Sequence, residues 1–377
     1  MIVVAVLFWL CAGLLVYAQV GYPVLLWLLS RVRHARPLPL AASAGAPPFV
    51  SLIVPAHAEE TVIAGKVANA LALDHPRDRL QLIVACDGSP DATAERARAA
   101  GADLVLELPR GGKIRAQDTA VEHATGQIVA FGDANALWEP GALRELLAPF
   151  ADPDVGYVCG QVAFVNEGGT NQEGLYWRYE MAVRALESRL ASVTGGNGAI
   201  YATRREDYLV VDAVMGHDLS FPFNMVKRGR RAVYAPAARA TEKMVPSLEG
   251  EFARKRRMMS HAWPIVLRGG LLSPRGYPPL YALMIFSHRI LRYAAPFLHL
   301  AALGLNAALL GAGPLYVATF AAQAALYLGA LAAPALRLRP LLVARYYVLT
   351  NASIALGLLD YLVKGTPAGW SPPEGTR

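Results

Sequence analysis

Residues Gln127–Trp138, QIVAFGDANALW, decide how the chain folds. The apolar run Ile128–Phe131 is closed by Gly132 and predicts a short buried strand. A lone carboxylate, Asp133, follows at the carboxyl end of that strand, where open α/β sheets bind their ligands. Asp133 and Asn135 are both oxygen donors, and their spacing suits a hard divalent cation holding a diphosphate. On these residues alone, Asp133 reads equally well as a turn or N-cap residue before LWEPGALRELL. The flanking chain has to decide.

Upstream, Phe49–Val54 (FVSLIV) predicts a strand that stops at Pro55. Leu80–Ala85 predicts a second strand, running into CDGSPDAT, and Ala102–Leu106 a third. Apolar residues recur with helical spacing over Thr61–Leu73, Asp91–Ala100 and Lys113–Ala124. Strands alternating with helices predict an α/β fold with a parallel sheet covered on both faces. Downstream, Val155–Phe164 is a strand and Tyr176–Leu190 a helix. Thr194–Arg205, TGGNGAIYATRR, is a Gly-rich turn leading into a short strand, and Gly229–Tyr234 leads to a strand ending near Pro236. Leu248–His261 is basic and amphipathic, with Arg254, Lys255, Arg256 and Arg257 in one block that suits a solvated or lipid-facing surface.

The chain is too apolar for an ordinary soluble protein of 377 residues: 54% of it is hydrophobic and only 17% charged. Its net charge of +7 admits nucleic acid, anionic lipid or phosphorylated substrates as partners. The basic residues cluster beside apolar segments rather than around base-stacking aromatics, which disfavours nucleic acid. Cys11, Cys86 and Cys159 show neither metal spacing nor a disulfide framework, as in a reducing compartment. Ile2–Ser30 lacks Asp, Glu, Lys and Arg, enough for one membrane span. It exceeds the roughly 7–15 residues of a signal-peptide core, so it is read as a retained anchor, although Ala42–Ala46 (ASAGA) mimics a cleavage site. Arg31, Arg33 and Arg36 follow, placing the next domain in the cytoplasm by the positive-inside rule.

Residues 31–48 then form a linker, and 49–270 the cytoplasmic α/β domain. Residues 277–292 predict a helix lying on the membrane. Residues 293–363 predict two or three spans, broken at Gly311–Pro314, with Arg345 and Asp360 weakening the last. Residues 364–377 form a tail.

The order of these motifs resembles family 2 inverting glycosyltransferases of the GT-A fold, in the membrane-bound bacterial branch that builds polysaccharides and glycolipids. The resemblance is carried by SLIVPAHAEE, LIVACDGSPDAT, GGKIRAQDTAVEHATGQIVAFGDAN, GGNGAIYATRRE, GHDLSFPFNMVKRGRRAVYAPAARATE, EFARKRRM and MIFSHRILRYAAP, spread over essentially the whole chain. It implies a Rossmann-like nucleotide-sugar-binding domain flanked by N-terminal and C-terminal transmembrane helices. It also implies a bacterial inner-membrane, multi-pass protein with an anionic phospholipid surface beside it. The implied reaction moves a sugar from a nucleotide-sugar, a UDP-sugar, to a membrane-associated glycan or lipid acceptor with inversion, using Mg²⁺ or Mn²⁺.

Residue by residue, Asp133 matches the first acid of the DxD motif, with Asn135 at its third position, as metal and diphosphate ligands. Asp87 matches the acid that reads the nucleobase; Pro55, Ala56 and Glu59 match the loop cradling the nucleoside; Lys113 matches a basic position near the ribose or diphosphate. Asp218 matches the second acid of the ED motif, the general base that takes the acceptor proton. The competing reading for Asp218 is a helix cap. Arg254 and Arg257 match the basic part of QxxRW and could clamp the diphosphate. Gly196, Asn197 and Gly198 belong to the acceptor-side loop with Gly195, and Trp138 and Trp177 stand as candidate sugar platforms.

Five positions depart from the pattern, among them Asp118, which replaces the usual Asn of the LN pair. Asn135 leaves the metal site one carboxylate short, and His217 replaces the acid before Asp218. Cys86 replaces the first acid of the nucleobase motif. Met258 replaces the aromatic residue of QxxRW, which puts processivity in doubt. Two alternatives stay open: a processive polysaccharide synthase, and a non-catalytic membrane nucleotide-binding scaffold.

Overall fold

The computed structural model describes residues 1–33, 47–165, 173–243 and 248–369. Arg36, most of the expected linker and the end of the tail lie outside them.

Four parallel strands form the first half of the sheet: β1 (Val50–Ala56), β2 (Leu80–Asp87), β3 (Leu104–Leu108) and β4 (Ile128–Phe131). They are joined by α2 (Ile63–Leu71), α3 (Thr93–Ala99) and α4 (Lys113–Glu122), following the helix α1 (Ile2–Val32). β1 is buried on both faces because alternate side chains feed two cores. Leu52 and Val54 enter one, and Ile53 packs with Val129 and Phe131 in the other. Such fully covered strands are the rule in parallel sheets.

Contrary to expectation, β1 does not stop at Pro55. Gly132 N donates to Ile53 O at 3.1 Å, so Ile53 faces β4 and Pro55 faces the same side two residues on. The β4 register ends at Ile53–Phe131, and the missing Pro55 N–H therefore falls where no neighbour asks for it.

The second half of the sheet is mixed, not parallel. Among the described residues the strand order is β3-β2-β1-β4-β7-β6-β8-β5, with β5 (Leu137–Trp138), β6 (Val155–Val165), β7 (Tyr201–Arg204) and β8 (Arg231–Lys243). β7 runs antiparallel to β4, and Phe131 at the end of β4 pairs with Tyr201 at the start of β7. That reversal is what builds the site. It brings the loop after β4 and the loop before β7 to the same sheet edge.

β8 also outruns its expected end at Pro236. The register steps from Cys159–Tyr234 to Gln161–Arg239, a bulge that absorbs the proline, and pairing resumes to Lys243. The two-residue β5, absent from the sequence reading, pairs with Ala240 and Thr241 of β8. Helices α5 (Ala142–Leu147), α6 (Glu173–Leu190), α7 (His217–Lys227) and α8 (Leu248–Leu267) complete the domain.

The separate surface helix expected over 277–292 is instead the first half of one rod, α9, spanning 279–307 with a π-helical turn at Ile285–Ile290. Its Ser287 and His288 are buried, Ser287 beside Tyr17 of α1 and His288 against Glu180 and Glu187 of the α/β domain. After the turn at 308–313 come α10 (Pro314–Leu336) and α11 (Arg339–Lys364). Among the described residues, three helices are long and apolar enough to cross a membrane: α1, α10 and α11.

The charges that weakened the last span have partners. Asp360 accepts from Arg256 Nε at 2.5 Å and Nη2 at 2.7 Å, and α8 and α11 approach closely at Gly357, where a Cβ would meet Met259. Lys255 donates to the Tyr346 hydroxyl and lies 3.9 Å from its ring centroid. Much of the basic block is therefore committed within the protein rather than to a lipid face.

Asn69 of α2 holds β5 in place, its amide donating to Trp138 O and accepting from Trp138 N, both at 2.9 Å. Asn69→Ala leaves two backbone groups unpaired and should cost about 1–3 kcal/mol, read as a lowered melting temperature of the detergent-solubilised protein.

Candidate active site

The loop after β4 presents Asp133, and the amino terminus of α4 presents Lys113. Their side chains form an ion pair. Burial works against the Lys113 charge, but Asp133 outweighs it and holds the ammonium above its ordinary range. Gly198 closes the third side: a Cβ there would lie 3.2 Å from Lys113 Nζ and 3.8 Å from Asp133 Oδ2. The DxD loop, the basic position and the acceptor-side loop thus converge.

Gly196 N donates to Asp218 O at 2.6 Å, tying that loop to α7. Asp218 sits in the first turn of α7, where the helix dipole favours a negative charge. Its carboxylate makes no hydrogen bond or ion pair with the described residues, so both its oxygens are available to an acceptor hydroxyl. Gly216, not Asp218, occupies the N-cap.

His217, which replaces the acid before Asp218, is the first residue of α7. It is buried, ringed by Phe131, Tyr201, Tyr208 and Phe221, and its Nδ1 lies 2.8 Å from the Tyr201 hydroxyl. Burial, helped by the charge of Lys113, lowers its pKa to about 3, so the ring is neutral.

Other expected residues take different duties. The carboxylate of Asp87 is buried and already accepts from Gly111 N at 2.6 Å, Gly112 N at 3.0 Å and Arg110 Nη1 at 2.9 Å. It braces the loop leading to Lys113, and a nucleobase would have to displace one of those donors. Asn197 is spent on its own turn, donating to Gly160 O at 2.7 Å and accepting from Ile200 N at 2.9 Å. Pro55, Ala56 and Glu59 are buried; Glu59 N donates to Thr93 Oγ1 at 2.9 Å, lacing the loops after β1 and β2 together. Trp138 is buried, and Trp177 is half-buried with its ring against Phe164. Their indole N–H groups donate to Ala199 O at 3.0 Å and Val162 O at 2.8 Å. Arg254 is gripped by Glu251 through two 2.7 Å bonds. Arg257 is an exposed residue of α8; partial desolvation of its guanidinium, and then the charge of Arg254, lower its pKa.

Two residues escaped the sequence reading. Lys66, within the apolar spacing of α2, is fully buried beneath the Asp133 loop; its Nζ donates to Ala136 O at 2.6 Å and lies 5.0 Å from the Trp138 ring centroid. Burial lowers its pKa to about 7, against the fields of Asp133 and Glu242. Glu242 follows Thr241, which pairs with Leu137, so β8 carries it alongside the same loop. Burial and then the Asp133 charge raise its pKa to about 7, while Lys113, Arg254 and Lys66 oppose the shift. The only local signal for either was a charged residue inside an otherwise apolar pattern.

The donors suit a divalent cation. Asp133 offers a carboxylate, and the Asn135 carboxamide makes no hydrogen bond among the described residues. No group of three or more His, Cys, Asp or Glu gathers among the described residues. A small hard cation held by one or two protein oxygens, completing its shell with phosphate oxygens and water, fits such a site.

Comparison with known proteins gives the family and the fold. A family model described as "Glycosyltransferase like family 2" matches residues 47–260, more than half the chain. A beta-monoglucosyldiacylglycerol synthase from Synechocystis sp. is 30% identical over 217 residues, covering 53% of this chain and 44% of that protein. An N-acetylglucosaminyltransferase from Rhizobium leguminosarum is 26% identical over 229 residues, covering 55% and 54%. The chain spans about half the length of these curated relatives. Among solved structures, the mannosyltransferase PcManGT from Pyrobaculum calidifontis, in complex with GDP-Man and Mn²⁺, superposes with a TM-score of 0.70 at 25% identity, covering 95% of this chain and 99% of that one.

A Cβ at Gly196 would collide with the Tyr157 hydroxyl, which is buried and has no hydrogen-bond partner. Gly196→Ala should therefore lower transfer at least tenfold, and adding Tyr157→Phe should restore part of it in the same assay. His217 gives an acid-side signature. The unfolded chain takes up a proton on this ring below pH ~6.5, whereas the folded ring stays neutral down to about 3. Its contribution to stability is full above ~6.5 and is lost as pH falls toward 3. His217→Asn should flatten the dependence of melting temperature on pH between 6.5 and 4.

Proposed function

The chain belongs to glycosyltransferase family 2, and on that premise we propose that it transfers a sugar from a nucleoside-diphosphate donor, a UDP-sugar, to a membrane-associated lipid or glycan acceptor with inversion. It is an enzyme of GT-A fold. The observation that carries the reading is the convergence of the Asp133–Lys113 pair with Gly198 on one side of the acceptor loop and Asp218 on the other.

Asp133 and Asn135 would hold a divalent cation, Mg²⁺ or Mn²⁺. When bound, that ion neutralises the diphosphate as a Lewis acid. Lys113 is poised to follow the diphosphate charge as the leaving group forms, supported from below by Lys66 and from α8 by Arg254. Asp218 takes the proton from the acceptor hydroxyl as its oxygen attacks the anomeric carbon. The bond from that carbon to the diphosphate oxygen breaks on the opposite face, which inverts the centre.

The domain limits, with 49–270 as the catalytic unit and membrane helices on either side, belong to the same proposal. The membrane acceptor is supported by the three apolar helices, by Arg31 and Arg33 exposed at the end of α1, and by a relative named for making a glucosylated diacylglycerol. Those two arginines are the contacts proposed for an anionic phospholipid surface on the cytoplasmic side of the inner membrane.

Asp218→Asn should cut transfer at least a hundredfold in reconstituted membranes while the dissociation constant for the nucleotide-sugar, measured by titration calorimetry, stays within about threefold. The scaffold alternative requires that wild type and Asp218→Asn be equally inactive with every donor in the presence of Mn²⁺. A ladder of long products would instead establish the processive alternative.

A further inference from the structure

Behind the acceptor loop lies a cluster of buried ions that the transfer chemistry does not use. Glu180 and Glu187 stand two turns apart on one face of α6. His288, in the π-helical turn of α9, bridges them: its Nδ1 lies 2.7 Å from Glu187 Oε1 and its Nε2 3.2 Å from Glu180 Oε2. Arg292 also pairs with Glu180. Burial alone would raise the pKa of Glu187, but His288 and Arg289 outweigh it and keep the carboxylate charged.

Glu187 faces the acceptor loop. It accepts from Thr194 N at 3.1 Å and from the Thr194 hydroxyl, while Arg289 Nε donates to the same hydroxyl oxygen at 3.0 Å. A Cβ at Gly195 would clash with Nη2 and Cζ of Arg289, so the guanidinium packs against a bare glycine. Tyr281 donates to Val193 O at 3.0 Å, and Arg184 to Gly196 O at 3.0 Å. The next link is the bond from Gly196 N to Asp218 O.

The cluster also reaches the N-terminal helix. The Tyr22 hydroxyl donates to Glu187 Oε1 at 2.6 Å, and the Tyr17 hydroxyl lies 2.9 Å from Ser287 Oγ. The Tyr17–Ser287 contact joins the π-helical turn of α1 (Tyr17–Gly21) to that of α9, and Tyr22 follows the first directly; such irregularities are often found at functional sites.

We propose that His288 and Arg289 are positioning residues for sugar transfer: through Glu187 and Thr194 they fix the 193–198 loop, and with it Asp218, against the donor site, and through Tyr22 that placement depends on how α1 is seated. The inference rests on the functional reading above, and its chemistry is that of orientation. A charge-assisted network loses most of its stabilisation when one member is removed, and small misplacements of a reacting group are costly in rate.

The test uses the full chain in nanodiscs, with Arg289→Gln, Arg289→Lys and the milder Tyr22→Phe. Hydrogen–deuterium exchange is read at 193–198, together with transfer, donor hydrolysis by water, and donor affinity. Arg289→Gln should speed exchange at 193–198 at least tenfold and lower transfer at least tenfold. Donor affinity should stay within about threefold of wild type, while hydrolysis, which draws on the same base, falls with transfer. Arg289→Lys should restore part of both losses, and Tyr22→Phe should show the same pattern more weakly. Unchanged exchange at 193–198 in Arg289→Gln and Tyr22→Phe overturns the proposal whether or not transfer is found. So does a loss of donor affinity parallel to that of transfer, which would mark a purely structural role. If wild type loosens on mutation as expected yet shows no transfer with any donor, the loop-positioning inference stands and the functional reading fails.

Discussion

The ion pair between Asp133 and Lys113 is the contact on which the site depends. It joins a strand end to a helix start, and neither partner could be held there by its own segment. Asp133 is placed by β4, whose residues are wholly buried. Lys113 is placed by a loop whose amides are gathered by Asp87. The reversal between β4 and β7 then brings Gly198 against the pair. Two carboxylates, Asp133 and Glu242, are set among Lys66, Lys113 and Arg254. That balance keeps a half-buried site charged enough to attract a diphosphate without leaving an uncompensated ion.

The long apolar helices and α9 are continuous with this machinery rather than appended to it. α8 is fixed to α11 by Arg256–Asp360 and by the Trp263 indole donating to Ile354 O at 3.0 Å. α9 and α1 meet the domain through buried polar contacts at Glu180 and Glu187. Polar groups placed in such an interface specify one seating where apolar packing alone would tolerate several.

Much of this was readable in the chain. The strands that lead to Asp87 and Asp133 are local apolar runs closed by turn residues, and the Gly-rich loop is a local run of glycines, whereas Asp218 stands out only through the family resemblance. What could not be read was set by register between distant strands. Pro236 looks like a strand end, yet the bulge in β8 passes it and delivers Glu242 to the site. β5 is two residues long and exists because Asn69 and β8 hold it. Lys66 looks like a solvated member of an amphipathic helix until β5 closes over it. Asp87 and Asn197 were found as site residues, but their hydrogen bonds are spent on bracing the loops around them.

The central claim is that Asp218 and the Asp133 loop act on opposite faces of one anomeric carbon. Its most direct test is the configuration of the new glycosidic bond. Products formed in reconstituted membranes from an α-linked nucleotide-sugar can be read from the anomeric proton coupling in their NMR spectrum. The account predicts a β-linked product. An α-linked product would contradict it.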